Sequence, residues 1–428
     1  MEKFFLRFKL PSLATIFFLA LILRLVISVL FHSADSQNHV IWGKSLVEDG
    51  LADFYQRGFV NIPPATYGPL GILPLGIFYL LSIFLVNFTW FLNTSIPPFP
   101  SNLVYFFSFE NYNLVASIMK LSGIFGDLIV AGFIYLFAVN ILKSKNPKIF
   151  PVLYLFNPAI FYLSSVWGQF ESLVLAFSLG AFYFVLRKKS IAASIFFALG
   201  LLTKQTAIFF APIWAILFLK TFGLKKTFFS SVAIFLIFYL VHLPFELLNP
   251  QEIFNLYSRN LAQITDRVYE NAFNFWYFIF APLKPTIFET FARIPYQFWG
   301  WLVFSIFAIP ALISLYKKPN PKFTILITYY LLLTTFLFLT RINDRFLAFV
   351  LPFSLLAIPI NFTSFLGIYL SISTIHFLNL YKNLLWPNVL FFSFLVENLL
   401  IVKLMIILLL GIFVYISFQV WRIFKLKS

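Results

Sequence analysis

Residues 187–226, RKKSIAASIFFALGLLTKQTAIFFAPIWAILFLKTFGLKK, place two apolar segments between two basic clusters. The first cluster occupies 187–189, the second lies within 220–226, and the polar pair Lys204-Gln205 separates the apolar segments. Loops rich in Lys and Arg stay on the cytoplasmic side of a membrane. The stretch therefore predicts a helical hairpin with both ends cytoplasmic and Lys204 on the opposite side.

The composition of the whole chain extends this pattern. Of 428 residues, 61% are hydrophobic and only 11% are charged, whereas soluble domains carry roughly 25% charged residues. Repeated apolar stretches of about 20 residues suit transmembrane helices. The sequence predicts an all-α polytopic membrane protein, with residues 1–428 forming a single transmembrane domain and membrane lipids as its surroundings.

The net charge of +16 does not indicate a nucleic-acid-binding protein. The basic residues lie in short connections between apolar runs, which is the pattern that membrane orientation produces, and they form no continuous basic face. The absence of cysteine excludes disulfides and thiolate chemistry. The remaining basic clusters are Lys3/Arg7/Lys9, Lys143/Lys145/Lys148, Lys317/Lys318/Lys322 and Arg422/Lys425/Lys427.

Placing every basic cluster inside gives cytoplasmic termini and two large outer regions, 32–117 and 246–296. Twelve spans satisfy this arrangement: 13–31, 118–142, 148–165, 170–186, 190–203, 206–221, 227–245, 297–316, 322–340, 345–360, 362–379 and 398–421.

The apolar segment 68–92 is long enough to cross the membrane but does not fit this alternation. If both 68–92 and 118–142 crossed, Lys143, Lys145 and Lys148 would fall outside. We therefore expect 68–92 to lie on the outer surface or to re-enter from it. Two ordinary spans with a weak charge bias are the alternative.

Ionisable residues near the outer ends of several predicted helices are candidates for chemistry. Charged side chains at membrane depth are costly and by default mark a function, and their convergence from separate helices is what an active site requires. They are Asp35, Lys120, Asp127, Glu171, Lys204, Arg341, Asp344 and Arg345.

Each of these residues also has a structural interpretation. Asp127 could pair with Lys120 on the same helix face, Lys204 could extend to the membrane interface, and Asp35 could be a helix N-cap. Arg341 and Arg345 could simply hold Asp344.

The spacing of His32, Asp35 and His39 could place imidazole and carboxylate groups on one helix face. Such ligands bind divalent metals, so these residues are weak candidates for a metal site. The sequence otherwise indicates no cofactor.

Six motifs follow one another between about residues 13 and 352. They are Asp35…Trp42…Phe54-Tyr55 with Pro63-Pro64, Lys120-Leu121…Asp127-Leu128, Asn157-Pro158…Trp167-Gly168-Gln169-Phe170-Glu171-Ser172, Thr203-Lys204-Gln205, Asn271-Ala272-Phe273-Asn274-Phe275-Trp276 and Thr340-Arg341-Ile342-Asn343-Asp344-Arg345-Phe346. In this order they resemble the motifs of class C (GT-C) membrane glycosyltransferases. Within that class, the chain resembles prokaryotic mannosyltransferases similar to the second mannosyltransferase of GPI-anchor synthesis.

The resemblance implies the GT-C fold and a polyprenyl-phosphate-linked hexose donor, with mannose favoured. It implies a lipid, glycan or protein acceptor and an active site on the extracytoplasmic face of a prokaryotic plasma membrane. Asp35 is then the expected general base, and Arg341, Arg345 and Lys204 are the expected ligands of the donor phosphate. The expected sugar or acceptor contacts are Asp127, Gln169, Glu171, Trp167, Asn274 and Lys120.

Two other classes of function are compatible with buried charges in a membrane protein. One is a secondary transporter, although the repeated halves and paired broken helices common in transporters are not evident. The other is a protein that binds a lipid-linked sugar without turning it over.

Overall fold

A computed structural model describes residues 10–262 and 265–425, except for the side chains of residues 260–262. The basic residues Lys3, Arg7, Lys9 and Lys427, for which the sequence predicts a cytoplasmic location, lie outside the described residues.

The regular secondary structure of the described residues is almost entirely helical, which confirms the predicted all-α class. In chain order the α-helices are α1 (Leu13–Ser28), α2 (Ala34–Glu48), α3 (Pro69–Ser95), α4 (Ser101–Phe106), α5 (Tyr112–Met119), α6 (Leu121–Asn140), α7 (Ile149–Leu155), α8 (Pro158–Phe161), α9 (Glu171–Leu186), α10 (Ser190–Thr203), α11 (Ala211–His242), α12 (Pro250–Ala262), α13 (Phe275–Phe280), α14 (Tyr296–Lys317), α15 (Pro321–Phe338), α16 (Leu351–Ala357), α17 (Phe362–Leu384), α18 (Leu390–Glu397) and α19 (Leu399–Lys425).

Shorter elements join these helices. Residues Tyr162–Trp167 form a π-helical turn, and Gln205–Phe210, Leu243–Phe245, Asp344–Phe349 and Ile358–Ile360 form 3-10 turns. Strand β1 (Thr290–Phe291) pairs with β2 (Ile294–Pro295) in an antiparallel ribbon within the second outer region.

Seven helical segments in the described part of the chain are long and apolar enough to cross a membrane, or eight if one bent pair is counted as a span. Three further apolar helices, Leu13–Ser28, Glu171–Leu186 and Ser190–Thr203, are shorter. A polytopic membrane protein is therefore confirmed, whereas the count of twelve spans stays a prediction. The seven are Pro69–Ser95, Tyr112–Asn140, Gln205–Phe245, Tyr296–Lys317, Pro321–Phe338, Phe362–Leu384 and Leu399–Lys425.

The predicted spans 148–165 and 345–360 are each broken into short helical pieces. Segment 148–165 bends by 48° between Ile149–Leu155 and Pro158–Trp167, because Pro158 cannot donate to the preceding turn and Asn157 instead caps a new helix. Segment 345–360 consists of a 3-10 turn, the short helix α16 and a second 3-10 turn. Prolines 352 and 359 both occupy helix-starting positions there.

The hairpin predicted around Lys220 and Lys225 depends on a sharp turn inside α11. Gly223 has φ 80° and ψ 170°, a backbone conformation outside the helical region that glycine adopts without steric cost. Gln205 and Ile208 before the turn line the same groove as residues 231–239 after it. A straight helix of this length would separate these residues by roughly 40 Å, so the two arms run back along each other.

The first outer region, 32–117, begins and ends at the same level of the helix bundle. Lys120, immediately before α6, donates from Nζ to the carbonyls of Ser28 (3.0 Å) and Phe31 (2.6 Å) at the end of α1. Helix α3 is long enough to cross the membrane. The rings of Tyr79 and Phe109 nevertheless lie 6.0 Å apart, so the segment after α4 comes back beside the middle of α3. That 68–92 makes no net crossing stays a prediction.

Helix α3 is held against two neighbours by close backbone contacts. A Cβ atom at Gly43 of α2 would lie 2.7 Å from Leu75 O, and one at Gly68 would lie 2.2 Å from Leu202 O. Gly68 N also donates to Thr203 O at 3.1 Å. The start of α3 is thereby fixed beside the end of α10, next to Lys204.

Candidate functional site

A polar cavity of about 230 Å³ lies where α2, the first outer region and the segments after α10 and α15 meet. Three of the residues that the sequence singled out, Asp35, Lys204 and Arg345, line this one cavity. They come from parts of the chain more than 130 residues apart in sequence. The other lining residues are Asn38, Trp42, Pro63, Thr66, Tyr67, Gln205, Thr206, Asn343 and Phe346.

Asp35 lies in the first turn of α2, but it is not the N-cap of that helix. Ser33 is the N-cap, and it forms a reciprocal capping pair with Ser36. The side chain of Asp35 is therefore free of a capping role. Its Oδ2 atom accepts hydrogen bonds from Trp167 Nε1 at 2.7 Å and from Gln169 Nε2.

Trp167 and Gln169 reach the same carboxylate oxygen because the chain turns sharply between them. The π-helical turn ends at Gly168, which has φ 85°, a left-handed conformation that favours glycine. A Cβ atom at Gly168 would lie 2.9 Å from Lys120 Cγ. Ser33 Oγ also donates to Trp167 O at 2.5 Å, so this turn and the start of α2 are joined directly.

Glu171, the first residue of α9, holds two cations behind Asp35. Its Oε1 atom lies 2.7 Å from Lys204 Nζ and 3.2 Å from Arg345 Nε. Arg345 Nη1 is also 3.6 Å from Asp35 Oδ2. Two carboxylates thus face two cations. Lys204 is buried, so the alternative in which it extends to the membrane interface is wrong.

Tyr67 and His39 complete the polar network, and sequence reasoning did not assign Tyr67 to the site. The Tyr67 ring lies 4.8 Å from Lys204 Nζ, and its hydroxyl donates to Gln169 Oε1 at 3.4 Å. A hydrogen bond of 3.2 Å joins that hydroxyl to His39 Nε2. Burial lowers the pKa of His39 to about 4, so its imidazole is neutral at physiological pH.

Asp344 and Arg341 flank Arg345 without lining the cavity. Asp344 is buried, and one of its oxygens accepts a hydrogen bond from Arg345 N at 2.8 Å. Burial raises the pKa of Asp344 to about 7. Arg341 has φ 64°, and its backbone N donates to Val268 O at 2.9 Å in the second outer region. Of the two arginines, only Arg345 lines the described cavity.

Asp127 and Lys120, predicted to contact sugar or acceptor, do not line the cavity and do not pair with each other. Asp127 Oδ2 lies 2.9 Å from Arg24 Nε of α1 and accepts a hydrogen bond from Ser164 Oγ at 2.6 Å. Lys120 Nζ is occupied by three carbonyl groups, of which Ser165 O is 3.0 Å away. Arg24 takes the carboxylate because α1 packs directly against α6. In this structure, Asp127 and Lys120 each connect α6 to α1 and to the π-helical turn.

Asn274, another predicted sugar contact, is a buried helix cap. Its Oδ1 atom accepts a hydrogen bond from Tyr277 N at 3.0 Å, at the start of α13. Asparagine is among the preferred N-cap residues because its short side chain reaches the unpaired backbone donors. Its Nδ2 atom donates to Phe336 O at 3.4 Å, so Asn274 ties the second outer region to α15.

The three residues proposed as weak metal candidates do not converge. His32 Nδ1 donates to Asn113 Oδ1 at 2.5 Å, Asp35 is held by Trp167 and Gln169, and His39 is buried against Phe170 with ring centroids 4.6 Å apart. Among the described residues, no group of three or more His, Cys, Asp or Glu side chains could hold a metal ion. The spacing alone did not bring the ligands together.

An apolar groove of about 420 Å³ adjoins the polar cavity. Residues of the 3-10 turn before α11, of the second arm of α11, of α12 and of the end of α10 line it, and Gln205 lines both the groove and the cavity. An amphipathic ligand could place a charged head in the cavity and an apolar chain in the groove.

Models of known protein families give no match to this chain, and neither do curated protein sequences. The resemblance to GT-C enzymes stays a prediction that rests on the six sequence motifs.

Proposed function

We propose that the protein is an inverting GT-C glycosyltransferase that transfers a hexose, with mannose favoured, from a polyprenyl-phosphate donor. The acceptor is a lipid, a glycan or a protein on the extracytoplasmic face. The observation that carries the proposal is the placement of Asp35, Lys204 and Arg345 around one cavity. A carboxylate facing two cations suits a reaction in which a hydroxyl loses a proton while a phosphate departs.

Lys204 and Arg345 are the proposed ligands of the donor phosphate. Both are held by Glu171, so they are oriented before a substrate arrives and need little reorganisation. The negative charge that grows on the phosphate as its bond to the anomeric carbon breaks is then stabilised by these cations. Arg341 is left out of this role because it does not line the cavity.

Asp35 is the proposed general base. Trp167 and Gln169 bind one of its oxygens, Oδ2, which leaves Oδ1 to accept the proton of the acceptor hydroxyl. The hydroxyl oxygen then forms a bond to the anomeric carbon on the face opposite the departing phosphate. One displacement of this kind inverts the configuration at that carbon.

The apolar groove beside Gln205 is the proposed path of the polyprenyl chain. A donor bound in this way would enter from the membrane, with its phosphate near Lys204. The proposed topology, twelve spans with 68–92 on the outer side, puts the cavity at the extracytoplasmic face. The hydrogen bonds from Lys120 to Ser28 and Phe31 support this arrangement, because they put both ends of the first outer region at the same height in the helix bundle.

The test is sugar transfer by the purified full-length chain from a polyprenyl-phosphate hexose. The Asp35→Asn variant should lose transfer by about 100-fold or more, since removing a general base costs on the order of 10²–10⁴. Glu48→Gln, in an exposed pair with Lys44 at the far end of the same helix, is the matched control. Full activity of Asp35→Asn would refute the base assignment.

The same assay separates catalysis from binding alone. A protein that only binds the lipid-linked sugar would be protected from proteolysis by the donor, yet it would release no glycosylated product with any acceptor. A transporter would move labelled substrate into sealed vesicles without forming a new glycosidic bond.

A further inference from the structure

A second polar cavity, of about 400 Å³, lies at the opposite end of the helix bundle from the Asp35 cavity. Helix α6 begins next to Lys120, near the Asp35 cavity, and its last residues precede Lys143, which lines this second cavity. At a rise of about 1.5 Å per residue, the helix separates the two sites by roughly 30 Å. The second cavity therefore takes no part in the chemistry proposed above.

The mouth of this cavity is basic. Lys143, Lys145 and Lys322 line it together with Ser144 and Asn146, and no acidic side chain is among its lining residues. In the part of the chain that the structure describes, none of the three lysines forms an ion pair with a carboxylate. Within residues 10–262 and 265–425, no carboxylate therefore compensates these three positive charges.

The loop that carries two of the lysines is fixed in position. Lys143 has φ 55° at the end of α6, and Ser144 N donates to Ala138 O at 2.9 Å, which is the pattern of a helix C-cap. Lys148 Nζ donates to Pro11 O at 3.2 Å. Lys143 and Lys145 are thus presented from a structured turn, opposite Lys322 at the start of α15.

The floor of the cavity is apolar and continues into a long groove. Leu153 lines both this cavity and a neighbouring groove of about 590 Å³. Along α17, Phe362 and Leu366 line the cavity, and Leu370 and Phe377 line the groove. These positions recur at helical spacing, so one face of α17 forms a continuous apolar wall leading away from the lysines.

We propose that this cavity and groove bind a diacyl anionic phospholipid, with the phosphate at Lys143, Lys145 and Lys322 and an acyl chain along α17. The site combines a cluster of cations with a deep apolar channel, which is the complement of such a lipid in both charge and polarity. Basic pockets between membrane helices recognise anionic headgroups in this way. The proposal does not depend on glycosyl transfer.

The experiment counts lipids retained by the purified full-length protein in native mass spectrometry after titration with phosphatidylglycerol or phosphatidylcholine. The native chain should retain phosphatidylglycerol at least about tenfold better, given that each lysine near an anionic lipid contributes roughly fivefold in affinity. The variant Lys143→Gln/Lys145→Gln/Lys322→Gln should lose this preference.

The control variant Lys188→Gln/Lys189→Gln/Lys225→Gln removes three exposed charges from basic clusters outside the groove and should keep the preference. Leu366→Trp, which fills the apolar part of the cavity and leaves the lysines intact, should lower retention of phosphatidylglycerol. Equal retention of both lipids, an equal loss in the control variant, or displacement of the lipid by inorganic phosphate would each overturn the proposal. Melting temperatures verify that every variant is folded.

Discussion

Glu171 and Lys204 are 33 positions apart in the chain, yet Glu171 Oε1 and Lys204 Nζ lie 2.7 Å apart with both side chains buried. Arg345 approaches the same carboxylate oxygen from a third segment. Burying one carboxylate between two cations is costly unless each charge has its partner. The ion pair between Glu171 and Lys204 therefore fixes α9 to the end of α10. Glu171 also sets the positions of Lys204 and Arg345 in the cavity.

Removal of Glu171 should affect stability and transfer together. Glu171→Gln leaves Lys204 buried without its counter-charge, which costs about 3–5 kcal/mol in the free energy of unfolding. Sugar transfer should fall as well, because Lys204 and Arg345 lose their common anchor. Denaturant unfolding in detergent and transfer per folded molecule are the two measurements.

The double variant Glu171→Gln/Lys204→Met separates the two effects. Removing both charges should recover much of the lost stability, since an uncharged pair leaves no isolated buried ion, while transfer stays low. If the double variant were less stable than the single one, the buried pair would not be the source of the cost.

The two arginines of the motif at 341–345 should differ in importance. Arg345→Gln should lower transfer by about 100-fold or more, because Arg345 lines the cavity. Loss of a preorganised hydrogen-bond donor that stabilises developing negative charge costs on the order of 10²–10³ in turnover. Arg341→Gln should cost much less, since Arg341 does not line the cavity. Turnover numbers at saturating donor compare them, and equal losses would contradict the placement of Arg341.

Asp127 should prove structural. Asp127→Asn removes the partner of buried Arg24 and should lower the free energy of unfolding by about 3–5 kcal/mol. The KM for donor and acceptor should be unchanged in the fraction that remains folded, because Asp127 does not line the polar cavity. A raised KM at unchanged stability would instead support the sugar contact expected from the sequence.

Asp344 should make stability depend on pH. Its pKa is raised by burial to about 7 from an ordinary value of 3.8, so the folded protein binds a proton that the unfolded chain releases. This contribution is fully present below pH 3.8 and is lost as pH rises toward about 7. Above that pH, the native protein should be less stable than Asp344→Asn.

Melting curves of Asp344→Asn and the native protein between pH 5 and about 8 test this difference. The variant should show the flatter dependence and a melting temperature a few degrees higher at the alkaline end. Glu110→Gln, an exposed acid in the first outer region, is the control and should follow the native curve. Parallel curves for native protein and Asp344→Asn would contradict the prediction.

The sequence predicts which end of each helix carries the polar groups, and this is why Asp35, Gln169, Glu171, Lys204 and Arg345 are found together. Charge clusters in the connections fix the direction of each segment, so residues at like ends must meet at one level. Neither the rotation of a helix nor the identity of its neighbours is encoded in those clusters.

Contacts that depend on helix rotation or on the neighbouring helix therefore cannot be predicted from the sequence. Asp127 and Lys120 share a face of one helix, but Arg24 of α1 approaches Asp127 more closely. The motif at 271–276 favours a binding role for Asn274, and only the structure shows that Asn274 also caps α13. Tyr67 is missed from the candidate site because no local pattern marks a ring that will pack against a distant lysine.

The hydrogen bond from Gly68 N to Thr203 O joins the start of α3 to the residue that immediately precedes Lys204. No side chain could be inserted between them, because a Cβ at Gly68 would overlap Leu202 O. Any displacement of α3 is therefore transmitted through a single peptide unit to a buried ammonium group. The first outer region is therefore mechanically coupled to Lys204, in addition to covering the cavity.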